Sequence, residues 1–200
     1  MDLFNQGPVT NVLPYDGVAN YYGRILNSDQ ANDYYHRLLT TVAWQHDEVV
    51  IFGKRIVTRR KVAWYGNRDY SYTYSHTTKQ ALAWTSELRE LKAMVEERAQ
   101  CSFNSCLLNL YHSGEEGMGW HSDDERALGD DSTIASLSLG AERKFSFKHK
   151  QDKRTVSLPL EHGSLLVMKG PTQGCWQHAL PKTKKVRHPR INLTFRTIFP

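Results

Sequence analysis

From residue 105 onward, apolar and polar residues alternate in short runs, at 105–112, 133–139, 144–148, 155–158, 164–168, 177–180 and 191–198, with turn-forming residues between them. A period of two residues is that of a half-buried strand. Strands at such close intervals predict an antiparallel sandwich or jelly roll rather than a parallel α/β sheet. The first half reads differently. Ser28 is placed to cap a helix whose apolar side runs Ala31, Tyr34, Tyr35, Leu38, Leu39 and Val42, and a second helix is expected over 85–99, with Trp84, Leu88, Leu91 and Val95 on one side. Between the helices, 48–52 predicts a strand, 53–54 a turn, 59–65 an irregular basic segment and 71–74 an edge strand with alternating tyrosines. The expected class is α+β, mainly β. One compact domain is expected, with an N-terminal arm and helix over 1–45, a hairpin, basic loop, aromatic strand and helix over 46–100, and a β core over 101–200.

Composition narrows this picture only a little. The chain has 200 residues, 40% hydrophobic and 24% charged, enough apolar material for a packed core and incompatible with a mainly disordered chain. The net charge of +5 suits a nucleic-acid partner and a basic enzyme equally well. Cys101, Cys106 and Cys175 are odd in number and form no C-x-x-C pair, so free thiols in a reducing compartment are expected. The N-terminus lacks the pattern of a signal peptide, and no stretch has the length of a membrane span. The expectation is therefore a monomer without a membrane partner, not secreted, cytoplasmic in a bacterium or nuclear in a eukaryote.

Chemistry enters at residues 119–125. His121 and Asp123 are two apart, so on an extended segment an imidazole and a carboxylate point the same way. His178, in a later strand-like run, offers a third ligand. Two imidazoles and one carboxylate form a facial triad that leaves three positions open on an octahedral metal, as O₂ and a chelating cosubstrate require. The last strand carries Arg190, Asn192, Thr194 and Arg196 on one face and Ile191, Leu193 and Phe195 on the other. An inward pair of guanidiniums suits a dicarboxylate, gripped at both ends. Asn109 and Tyr111, again two apart, can add donors.

The set Asn109-x-Tyr111, His121-x-Asp123, His178 and Arg190-x-Asn192-x-Thr194-x-Arg196 resembles the AlkB family of Fe(II)/2-oxoglutarate dioxygenases over roughly residues 46–198. Phe52-Gly53-Lys54, Arg60-Lys61, Tyr65-Gly66, Tyr72-Thr73-Tyr74, Asp124-Glu125 and His162-Gly163-Ser164-Leu165 are similar to the animal-type DNA-repair members, including those that act on duplex DNA. The resemblance implies a double-stranded β-helix (jelly-roll) core, with Fe(II) on His121, Asp123 and His178. It implies 2-oxoglutarate held at its distal carboxylate by Arg190 and Tyr111 and at its chelating end by Arg196, with Asn109 and Asn192 nearby, and O₂ as the second oxidising substrate. The implied reaction is oxidative demethylation of N-alkylated bases such as 1-methyladenine and 3-methylcytosine, releasing formaldehyde, succinate and CO₂.

These bases are cationic and cannot pair, which makes them cheaper to flip out of a stack and suits an aromatic sandwich with carboxylates close by. Tyr72 and Tyr74, with Asp124 and Glu125, are the expected base contacts. Lys54, Arg60 and Lys61 form one basic cluster and Lys182, Lys184 and Lys185 another, both expected on DNA phosphates. Phe52 matches the hairpin-tip wedge of the duplex-acting member. RNA is an alternative substrate. A protein or small-molecule hydroxylase, and a cupin-like module without metal, are the readings from other classes.

Overall fold

A computed structural model describes residues 9–51, 54–67, 71–74 and 77–199, with side chains left aside at 48–51, 54–56, 71–74 and 77–80. In chain order the elements are β1 (Thr10–Asn11), β2 (Val18–Arg24), α1 (Ser28–Thr41), β3 (Gln45–Ile51), β4 (Lys54–Gly66), β5 (Ser71–Tyr74), β6 (Thr77–Gln80), β7 (Leu82–Ala83), α2 (Ser86–Ala99), β8 (Ser105–Tyr111), β9 (Met118–His121), β10 (Ile134–Gly140), β11 (Arg143–His149), β12 (Thr155–Leu160), β13 (Ser164–Lys169), α3 (Thr172–Cys175), β14 (Trp176–Leu180) and β15 (Arg190–Arg196).

The strands from β8 onward fold as the alternation predicts. Among the described residues the larger sheet runs β1-β2-β13-β10-β15-β8-β4-β3, with β7 beside β4, and the smaller runs β12-β11-β14-β9. Apart from the β4–β7 pair, which is parallel, neighbours in both sheets are antiparallel. This is the jelly roll expected from the sequence. One face of the large sheet is covered by α1 and α2, where Leu38, Leu88, Leu91 and Val95 meet Leu108, Leu137, Ile191, Leu193 and Phe195, all fully buried. Each such leucine contributes about 2–3 kcal/mol relative to exposure. The other face meets the small sheet through Ile134, Phe147, Leu166, Met168, Trp176 and Leu180, and the roll opens at the end where β8, β9, β14 and β15 converge.

Three sequence expectations are corrected. Asn27, not Ser28, caps α1, because Asn27 and Gln30 exchange side-chain-to-backbone hydrogen bonds of 2.8 and 3.1 Å. Residues 59–65 are not irregular: they belong to the 13-residue strand β4, which pairs with β3 and β8. Residues 18–24, read as part of an arm, are a strand of the large sheet, paired along β13 with Ala19 fully buried.

The two helices are tied by Arg37 of α1 to Glu87 of α2 at 2.8 Å, and by Tyr34 to Glu90 at 2.8 Å. Glu87 sits in the first turn of α2. Its own backbone amide, then Arg37 and Thr85, hold its carboxyl down to about 2 against an ordinary 4.5. The unfolded chain therefore binds the proton first as pH falls. The stabilisation is complete above pH 4.5 and is lost between there and about 2. Urea midpoints measured across that window should fall more steeply for the parent chain than for Glu87→Gln; identical slopes would remove Glu87 from the acid response.

The three cysteines are free thiols, as expected. Among the described residues no helix is long and apolar enough to cross a membrane.

Candidate metal and cosubstrate site

The triad forms where the small sheet meets the open end of the roll. His121 ends β9 and His178 lies directly across from it on β14, while Asp123 follows β9 by two residues. One ligand atom from each of the three lies within 4.8 Å of the others. His121 Nδ1–H donates to the Gly119 carbonyl at 2.9 Å, which leaves its Nε2 lone pair for the shared locus, 3.8 Å from Asp123 Oδ1. His178 is buried beneath Phe145, whose ring stacks on it at 5.5 Å. Burial lowers its pKa to about 3, in spite of Asp123, so at neutral pH the imidazole has no proton to displace. Burial also pushes the Asp123 carboxyl up, but Arg196, then His178 and His121, more than offset this and leave it below its ordinary value. The donor set, two imidazoles and one carboxylate with a shared locus, fits a divalent iron ion.

Arg196 also lies in this cleft and reaches the triad. Its Nη2 donates to Asp123 Oδ2 at 2.9 Å, so it orients the candidate ligand carboxylate and leaves Oδ1 toward the imidazoles. Gln173 completes that shell. Its Oε1 accepts from the Asp123 backbone N–H at 2.9 Å, and it is itself buried in α3. Sequence reading missed Gln173, since it lies 50 residues away and a lone Gln carries no motif. Gln173→Ala leaves the Asp123 amide without its acceptor, and the expected cost is roughly 10–100-fold in metal affinity. Titration of Mn(II) followed by electron paramagnetic resonance measures it; an unchanged affinity would assign Gln173 to packing alone.

The second half of the site lies on β15 and β8. Their register sets Arg190 opposite Tyr111 and Asn192 opposite Asn109, so the four residues picked by spacing are cross-strand neighbours on one face. Asn192 Oδ1 accepts from Ser136 at 2.9 Å and from Arg190 at 2.7 Å, and Arg190 also donates to Ser138 at 2.8 Å. Ser136 and Ser138 on β10 thus floor the site, a role the sequence reading did not give them. Arg190 is 2% exposed, and no carboxylate pairs with it among the described residues. Its Nε is buried without a partner. Burial lowers its pKa to about 10, which Tyr111 opposes and Arg143 reinforces. A guanidinium this deep without an anion is costly, and a carboxylate of a bound acid is the partner that the geometry accommodates. The same cleft is lined by His121, Asp123, His178, Asn109, Tyr111, Arg190, Asn192 and Arg196, so all eight predicted metal and cosubstrate residues come together.

The predicted base and DNA contacts fall only partly among the described side chains. Asp124 is exposed and directed to Lys150 at 3.4 Å, and neither it nor Glu125 lines the cleft. Arg60 is a correction: it is buried, paired with Asp47, and touches Met118 of the cleft wall at 3.3 Å through Nη1. On a strand, the middle of three consecutive basic residues must face opposite to its neighbours, so Arg59 is exposed, Arg60 is not, and Lys61 is half-exposed. Lys182, Lys184 and Lys185 are exposed on the loop between β14 and β15. Tyr72 pairs with Lys79 and Tyr74 with Thr77 across β5 and β6, their side chains being outside the described set. Lys54 opens β4, likewise without a described side chain, and Phe52 lies outside the described residues.

The chain is similar in sequence to known proteins. The chain is 40% identical over 181 residues to the alpha-ketoglutarate-dependent dioxygenase alkB homolog 3 of Bos taurus, covering 86% of this chain and 63% of that protein. It is 37% identical over 203 residues to the DNA oxidative demethylase ALKBH2 of Homo sapiens, covering 96% of this chain and 78% of that one. The chain thus spans a little less than two thirds of the bovine relative's length. Its fold matches the solved structure of OsALKBH1 with a TM-score of 0.64 at 18% identity, over 92% of this chain and 99% of that one. A family model described as the 2OG-Fe(II) oxygenase superfamily matches residues 19–196. With nearly the whole chain matched and the His121–Asp123–His178 triad sharing a cleft with the buried Arg190, the chain belongs to the 2OG-Fe(II) oxygenase superfamily.

Proposed function

We propose that the chain is a DNA oxidative demethylase that removes N-alkyl groups from bases such as 1-methyladenine and 3-methylcytosine, using Fe(II), 2-oxoglutarate and O₂. The observation that carries it is one cleft holding a candidate metal triad within 4.8 Å and a buried guanidinium that no carboxylate pairs among the described residues. A relative 37% identical over nearly all of this chain bears the name DNA oxidative demethylase, which supports the choice of substrate.

When bound, Fe(II) and 2-oxoglutarate with O₂ hydroxylate a C–H bond, so that a hydroxylated N-methyl group leaves the base as formaldehyde while the cosubstrate leaves as succinate and CO₂. The chain's own residues position and shield. His121, Asp123 and His178 hold the metal, and Arg196 and Gln173 fix the direction of the Asp123 carboxylate. Arg190 and Tyr111 take the distal carboxylate; Asn109 and Asn192 lie beside its path. Phe145, Met168 and Leu180 line the cleft with apolar surface and limit water near the reacting carbon. Lys182, Lys184 and Lys185 contact phosphates from the adjoining loop, and Tyr72 and Tyr74 stack on the flipped base.

The test is mass-spectrometric. Methylated oligonucleotides are offered as single-stranded DNA, duplex DNA and RNA, with 2-oxoglutarate omitted as control. Demethylation of DNA that requires the cosubstrate is expected; loss of methyl groups from RNA alone would replace the substrate, and from none would overturn it. In the same assay Phe52→Ala should lower repair of duplex by roughly tenfold, about 1.4 kcal/mol, and spare single strands. Equal loss on both would sink the wedge assignment.

A further inference from the structure

Arg143 opens β11 and lies outside every motif that the site has used so far. It is 2% exposed, and it ends on no carboxylate among the described residues. Nη1 donates to the Ser113 carbonyl at 3.3 Å. Nη2 donates to the carbonyls of Gly114 at 3.3 Å, Glu116 at 2.9 Å and Pro181 at 2.9 Å. Its Nε is buried without a partner. The nearby Glu116 carboxylate is turned to His112, accepting from its backbone N–H at 2.9 Å.

These carbonyls belong to two loops that matter. Residues 113–117 follow β8, which carries Asn109 and Tyr111. Pro181 follows β14, which carries His178. The loops are zipped together by mutual hydrogen bonds between Gly114 and Thr183 and between Gly114 and Val186, each 2.8 Å. A Cβ on Gly114 would collide with the Thr183 carbonyl. Arg143 therefore fastens the end of the cosubstrate strand to the end of a metal strand, across the mouth between the two sheets.

Its guanidinium also lies near one ring. Arg143 Cζ is 6.0 Å from the centre of Tyr111, and Arg190 Cζ is 5.7 Å from the same centre. Two buried guanidiniums thus lie near the Tyr111 ring, and among the described residues no carboxylate pairs with either. Cation–π attraction draws the ring to the guanidiniums, while two positive charges in a poorly solvated place repel each other. A dicarboxylate relieves that repulsion; an acid lacking the distal carboxylate does not.

We propose that Arg143 is a positioning residue for 2-oxoglutarate, holding the Tyr111 ring toward Arg190 and making the distal end of the cleft selective for a second carboxylate. This rests on the cosubstrate assigned above. Burial lowers the pKa of Arg143, and Tyr111 and Glu116 oppose the shift.

The test is calorimetric binding to the full chain loaded with Mn(II), comparing 2-oxoglutarate with 2-oxobutyrate, which keeps the 2-oxo acid end and lacks the distal carboxylate. Arg143→Lys keeps the charge and loses the fork. It is expected to weaken 2-oxoglutarate by ~10–100-fold and 2-oxobutyrate by less than ~2-fold. Weakening both acids alike would reduce Arg143 to a loop fastener and overturn the proposal, as would unchanged affinity. A second comparison leaves Arg143 in place. Tyr111→Phe keeps the ring and loses the hydroxyl; Tyr111→Leu loses both. The leucine variant should bind 2-oxoglutarate a further ~10-fold more weakly than the phenylalanine one, and equal affinities would overturn the relay through the ring even if Arg143→Lys does not fold. Should the parent chain itself fail to prefer 2-oxoglutarate, the cosubstrate assignment falls and this inference with it.

Discussion

His178→Ala is expected to abolish turnover, lowering it by at least ~10³-fold, equivalent to about 4 kcal/mol in the barrier. His178 is one of the three groups at the metal locus, and it sits there neutral and desolvated under Phe145. Two ligands, one on a half-exposed imidazole, hold a divalent ion far less firmly than three. The fold should survive, because the substitution leaves a small gap beside Phe145 and Phe147 and no broken charge pair. Circular dichroism checks the fold, and Mn(II) affinity checks the ion. Retained metal binding with lost turnover would move His178 from ligand to some other part in the chemistry. Full retention of both would displace the metal centre altogether.

Arg190→Met is expected to raise the KM for 2-oxoglutarate by roughly 10²–10³-fold, within the 2–5 kcal/mol that truncating one partner of a buried charged pair costs. Arg190→Lys should recover only part of this, since an ammonium cannot present the planar fork. The thermal stability without cosubstrate should move the opposite way. Removing an unpaired buried guanidinium relieves desolvation, so the methionine variant is expected to unfold at an equal or higher temperature. A large loss of stability in the absence of 2-oxoglutarate would contradict the reading of Arg190 as a cation awaiting an anion.

The residues of the site differed in how far sequence could find them, and the reason is local geometry. His121-x-Asp123, Asn109-x-Tyr111 and the alternation from Arg190 to Arg196 each lie within one extended segment, where spacing fixes direction. The register of β8 against β15 then did what the alternation implied, setting Arg190 opposite Tyr111. Contacts between distant segments left no such trace. Gln173 under Asp123 and Arg143 over two loops are single residues whose partners are backbone groups, and backbone groups have no spelling in the sequence. Arg60 misled for a related reason. Read within an irregular basic stretch, it counted toward a phosphate-binding cluster; placed in a strand, it faces inward to Asp47. The strand β2 was hidden because Val18–Arg24 mixes Asn, Gly and Arg with its apolar residues, and it is half-buried against β13 rather than sealed on one face. The jelly roll as a whole was legible, since its strands are short and its alternation regular.

Strand β15 has one further property. Ile191, Leu193 and Phe195 fill the core beneath the helices while Arg190, Asn192 and Arg196 face the cleft, so both surfaces are set by the same register. A single inserted or deleted residue inside 190–196 would exchange the two surfaces, burying guanidiniums among leucines and presenting phenylalanine to the cleft. Folding and chemistry would fail together there. The turn at 151–154, between β11 and β12, is exposed and lies away from both halves of the site. A reporter or affinity tag inserted there should leave both halves of the site intact.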